Sequence, residues 1–148
     1  MSTTRQDIQA DLVSKIKGTD MLAGLAAEIC PSQSFRELLE REAGGSLPAV
    51  GIAYRGRVPD GERLLASKRG AYETRWEVSA VSRNGLGRVD ALAEVMALMD
   101  KIGSRVVNET CSSAGGSRYL LVNEDVDDVE DDGVVGLFQL VVSAWMDN

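Results

Sequence analysis

Tyr72-Glu73-Thr74-Arg75-Trp76-Glu77-Val78-Ser79-Ala80 changes character at every step. Tyr72, Thr74, Trp76, Val78 and Ala80 fall on one side of an extended chain, and Glu73, Arg75, Glu77 and Ser79 on the other. That period of two predicts a strand with one face on a core. Val134 to Trp145 also reads as a strand, with Phe138, Leu140, Val142 and Ala144 on one side and Leu137, Val141 and Trp145 on the other. A strand apolar on both faces belongs inside a sheet, not at its edge. Pro48 to Tyr54 predicts a third strand, with proline at its first residue, where the missing N–H costs least. Tyr119 to Asn123 predicts a short fourth, and an extended element is expected around 24–30, stopped by Pro31.

Three helices are expected around these strands. Thr4 is a good N-cap with Asp7 three residues on, and Ile8, Leu12, Val13 and Ile16 follow at helical spacing before Gly18. Arg5, Gln9, Asp11, Ser14 and Lys15 are read as turned away from this apolar stripe. Ser34, Glu37 and Leu38-Leu39 predict a second helix of about two and a half turns, closed by Gly44-Gly45. The third, about 88–102, carries Val89, Leu92, Val95, Met96, Leu98, Met99 and Ile102 on more than one face. Asp90, Glu94 and Lys101 leave it a narrow polar stripe, so it is expected to serve the core and also to meet a neighbouring subunit. Hairpin-like links between long strands predict an α+β fold: a mixed, largely antiparallel sheet of four to five strands with about three helices packed on it. A chain of 148 residues suits one domain, taken here as 1–148.

Charge is distributed unevenly. The chain has 23 acids and 16 bases, but seven of the acids (Glu124, Asp125, Asp127, Asp128, Glu130, Asp131 and Asp132) lie within 124–132, which reads as an acidic loop. Without them the remainder is electroneutral. Residues 55–70 read as a long charged hairpin, in which Arg55, Arg57, Arg63, Lys68 and Arg69 face Asp60 and Glu62 for a local balance of +3. Segments this long in compact domains are often functional, here as a docking arm for an acidic surface. The arm has no aromatic residue on which a single-stranded base could stack. Interface candidates are therefore Arg55, Arg57, Arg63, Lys68 and Arg69 on one side and Asp127, Asp128, Asp131 and Asp132 on the other.

Chemistry has few footholds. There is no histidine, which removes Ser-His and Cys-His catalysis and His-ligated zinc. Cys30 and Cys111 lack CxxC spacing and are expected to be reduced thiols. From Asp128, the run Asp128, Glu130, Asp132 and Gly133 resembles the start of a calcium loop, but its twelfth position is Gln139, where a bidentate glutamate is needed. Gly85-Leu86-Gly87 lacks the third glycine of a dinucleotide fingerprint. Thr110-Cys111-Ser112-Ser113 has no partner base of the usual kind. The expectation is a protein with no catalytic residues, no metal and no cofactor. No apolar run approaches the ~20 residues of a membrane span, and the polar start, Met1 to Asp7, argues against a secretory signal.

Pro48-Ala49-Val50-Gly51-Ile52-Ala53-Tyr54-Arg55-Gly56, the charged hairpin, Trp76 to Asn84, the helix carrying Leu92, Met96 and Met99, and the terminal Phe138 to Trp145 together resemble the Mu-like phage minor tail proteins. That family is similar in organisation to the tail terminators of long-tailed phages. The resemblance implies a structural virion protein that caps the tail tube as a six-membered ring. Its partners would be the tail tube protein, the sheath in contractile tails and the neck or connector proteins, with DNA passing through the lumen without sequence-specific binding. It implies no catalytic residues, no membrane, and a location in the virion tail or neck after assembly in the host cytoplasm. Another head-to-tail connector component, or a small acidic cytoplasmic binding or adaptor module, are the competing readings. Within the ring reading, the acidic segment either lines the lumen or meets the basic arm of a neighbour.

Overall fold

Thr4 and Asp7 cap the first helix reciprocally: Thr4 Oγ1 accepts from the Asp7 amide at 3.1 Å, and the Asp7 carboxylate accepts from the Thr4 amide at 2.9 Å. The structure, a computed structural model, describes residues 3–17, 27–40, 48–60, 69–83, 87–129 and 133–147. The capped helix, α1, runs Arg5–Ile16. It is followed by β1 (Glu28–Pro31), α2 (Phe35–Leu39), β2 (Ala49–Pro59), β3 (Arg69–Arg83), α3 (Arg88–Val106), a short 3-10 turn (Ser112–Ala114), β4 (Leu120–Val129) and β5 (Gly133–Asp147). This is the expected α+β fold, with one mixed five-stranded sheet in the order β1-β2-β3-β5-β4. β1 lies parallel to β2, and every other neighbour is antiparallel.

The two strands that decide the fold are its spine. β3 and β5 pair along their whole length, from Arg69 opposite Asp147 to Arg83 opposite Gly133. Trp76, Val78, Ala80, Phe138, Leu140, Val142 and Ala144 turn one face of the sheet toward α1 and α3, where they form the main core with Ile8, Leu12, Val95, Leu98 and Ile102. The helix comes unusually close at Gly136, where a β-carbon would collide with the side chains of Met99 and Val95. Among the described residues, the opposite face is covered at one end, where Leu38 of α2 packs with Ala49, Val81 and Val135. Ser34 caps α2, and Glu77, buried on this face, accepts from the Phe35 amide at 3.0 Å.

Four expectations need correction. The stretch 124–129 is not a loop: Glu124 to Val129 are the second half of β4, because β5 supplies a continuous ladder and an edge strand can leave its charges in water on both faces. The strand expected to end at Tyr54 continues through a bulge at Tyr54/Gly56 as far as Pro59, paired to β3, so Arg55 and Arg57 stand within β2, one arm of the charged hairpin. α3 continues past residue 102 to Val106, which the core buries completely. α2 is a single short turn over the described residues, and Gly44-Gly45 lies outside them, as do residues 24–26 of the extended element predicted before Pro31.

Candidate interface

β4 forms one outer edge of the sheet and is exposed along nearly its whole length. α3 packs over β3 and β5. The sheet therefore extends one strand past its helix layer, like a shelf. Apolar side chains stand open on and above this shelf: Leu121 is 42% exposed, Val126 44% and, on the outer face of α3, Met96 53%. Leu92, Met96, Met99, Asp100, Glu124 and Val126 line a cleft of about 280 Å³ between helix and strand. The over-apolar pattern of α3 thus has a structural counterpart. Ala91, Val95, Leu98, Met99, Ile102 and Val106 are buried, while Val89 and Met96 are not. Glu94, assigned to the polar stripe, turns inward to accept from Ser82 Oγ at 2.7 Å.

The acids of β4 alternate between its faces. Glu124 and Asp128, level with Phe138 and Val134, share the helix side. Asp125 and Asp127, level with Leu137 and Val135, share the opposite side. Asp128 meets Arg88 at the start of α3 at 2.7 Å in a half-exposed ion pair, and Asp127 is exposed. This alternation spreads the carboxylates, and among the described residues no group of three or more could hold a metal ion. Asp131 and Asp132 lie outside those residues.

Of the basic candidates, Arg55 and Arg57 lie on β2, on the other side of the sheet from β4. Arg55 is exposed at the β2 bulge and, with Arg75, Glu73, Leu137, Val141 and Val122, lines an open groove of about 460 Å³ on the face away from α1 and α3. Arg57 is held by its own chain: its guanidinium lies 3.8 Å from the centre of the Tyr72 ring and donates to the Asp147 carbonyl at 2.9 Å. Arg69 begins β3, level with Asp147, and Arg63 and Lys68 lie outside the described residues. Within one chain, β3 and β5 separate the acidic strand from the basic one.

No protein-family model matches this chain, and no curated protein sequence does either. Among solved structures, a chain from a particle described as the "Virion of native gene transfer agent (GTA) particle" superposes over 95% of this chain and 95% of its own, with a TM-score of 0.56 and 12% sequence identity. That likeness is one of fold. No described helix is long and apolar enough to cross a membrane.

One cluster escaped the sequence reading. Asp11 is buried, not turned to water, and three groups converge on it: Tyr119 Oη donates at 2.6 Å, Ser112 Oγ at 2.9 Å, and Lys15 Nζ stands 3.3 Å away. Burial pushes the Asp11 carboxyl upward, but the donated hydrogen bonds and the Lys15 charge outweigh it and hold the group below its ordinary value. Tyr119 is driven the other way, by burial first and then by its bond to Asp11, so it stays neutral. Cys111, also raised chiefly by burial, is a buried thiol outside any disulfide, and Cys30 is buried and outside any disulfide as well. The cluster ties α1 to the turn after α3, and Ser112, from the segment weighed as a nucleophile, is engaged in it.

Proposed function

We propose that this chain is a structural protein of a phage-like virion, a tail terminator that caps the tail tube as a ring, with six members by resemblance to that group, and joins it to the neck. The observation that carries the reading is the superposition, end to end, on a chain of a gene transfer agent virion. In this reading the protein works by fit and charge alone, with no catalysis, cofactor or metal. Its partners are copies of itself, the tail tube protein, the neck or connector proteins and, in a contractile tail, the sheath. DNA passes through the lumen without sequence-specific contact. The protein would act in the virion after assembly in the host cytoplasm.

The surfaces suit such a role. A cyclic ring uses heterologous contacts, in which one patch meets a different patch on the next copy. This chain carries an acidic strand and a basic strand at opposite sides of one sheet, with an apolar shelf beside the acidic one. The test is deletion of the coding sequence from a producing strain, followed by electron microscopy of the particles. Capping predicts heads separated from tails and tubes of unregulated length, both corrected when the chain is supplied again. Normal, joined particles in the deletion would contradict it.

A further inference from the structure

We infer that copies of this chain join edge to edge, the acidic strand β4 of one copy pairing antiparallel with the free half of β2, Tyr54–Pro59, of the next, so that the sheet runs on across the subunit boundary. The inference rests on the ring reading above and specifies its contact.

Both strands have an unused side among the described residues. β4 pairs with β5 and with no other described strand. β1 pairs with β2 only from Ala49 to Ile52, leaving the rest of that edge without a strand. Unpaired N–H and C=O groups along an edge are a template for another strand. Charge decides which one. If β4 met β4 of a second copy antiparallel about Val126, Glu124 would face Asp128 and Asp125 would face Asp127, and like charges directly opposite are destabilising. That repulsion disfavours the symmetric dimer and favours a heterologous partner. Arg55 stands exposed on β2, at the other side of the sheet, on the face that Asp125 and Asp127 share.

Direction agrees as well. β2, β3, β5 and β4 alternate up and down. Rotation about an axis along the strands therefore sets β4 of one copy antiparallel to β2 of the next, and keeps every helix layer on the same side. The layer of the neighbour would then close over the shelf at Leu121, Val126 and Met96, which a lone chain leaves in water. A modest stagger is required: Gly56 is level, through Arg75, with Val141, whereas Glu124 is level with Phe138, three residues along β5. Sheets closed on themselves are staggered in this way. Gly56, at φ 110°, makes the bulge that turns Arg55 outward.

Hydrogen exchange on the purified chain, separated and assembled, tests the pairing. Alternate amides of 120–129 and of 54–58 should slow by about tenfold or more on assembly. Asp127→Arg and Arg55→Glu, both at exposed positions, should each fold as monomers by circular dichroism and each abolish assembly. The double variant should restore it. A ring whose 120–129 amides exchange as they do in the separated chain, or undiminished assembly of Asp127→Arg, overturns the edge pairing and leaves the ring standing. A chain that is monomeric at every concentration overturns both.

Discussion

Asp11 shows how a residue can be misread by type and still be placed by position. It follows Ile8 by three, which puts it on the apolar face of α1, and the structure buries it there. Carboxylates are buried only when partnered, and its partner Tyr119 lies 108 positions away, beyond any local pattern. The cluster predicts a pH dependence. Because the folded carboxyl sits below its ordinary 3.8, the stability it contributes is present above that value and is lost as pH falls through the lower folded one. Asp11→Asn should therefore lose about 1 to 3 kcal/mol at pH 7. Urea unfolding from pH 7 to pH 3 should show the gap between wild type and variant narrowing below pH 4. A gap that stays constant would mean that the charge of Asp11 contributes nothing.

At the scale of elements, β3, β5 and the start of β4 at 120–123 were legible, and the acidic second half of β4 was not. β3 and β5 announce themselves because a core imposes a face on them. β4 has water on both faces, so nothing imposes a period, and its charge density mimics a loop. The extension of β2 was hidden for a related reason, since its later residues are arginine, glycine and valine at a bulge. For α3, the excess of apolar residues did mark a second exposed face, although its occupant is not written in the pattern. Two substitutions separate the two faces. Gly136→Ala drives a methyl into Met99 and Val95 and should cost about 1 to 3 kcal/mol in thermal or chemical unfolding, with no specific effect on assembly. Met96→Lys should leave the monomer as stable as wild type, within about 0.5 kcal/mol, yet prevent association. If Met96→Lys assembles normally, the outer face of α3 takes no part in the contact.

Across the whole molecule, the α+β architecture and its mixed sheet could be read from the sequence, whereas the arrangement of charge could not. Acidic and basic segments at opposite sides of one sheet arise from the order β1-β2-β3-β5-β4, and strand order depends on pairings between residues far apart in the chain. That arrangement is what suits a ring, because each copy offers its neighbour a complement to the patch it uses itself. The contact should weaken as salt rises, since screening acts over about 8 Å at physiological ionic strength. Assembly yield between low and high salt measures this, and a salt-independent yield would favour an acidic strand that lines the lumen over one that docks. The central claim is tested most directly by negative-stain electron microscopy of the purified chain at low salt over a range of concentrations. The account predicts closed rings of uniform size with a central hole. Monomers throughout, or twofold dimers, would contradict it.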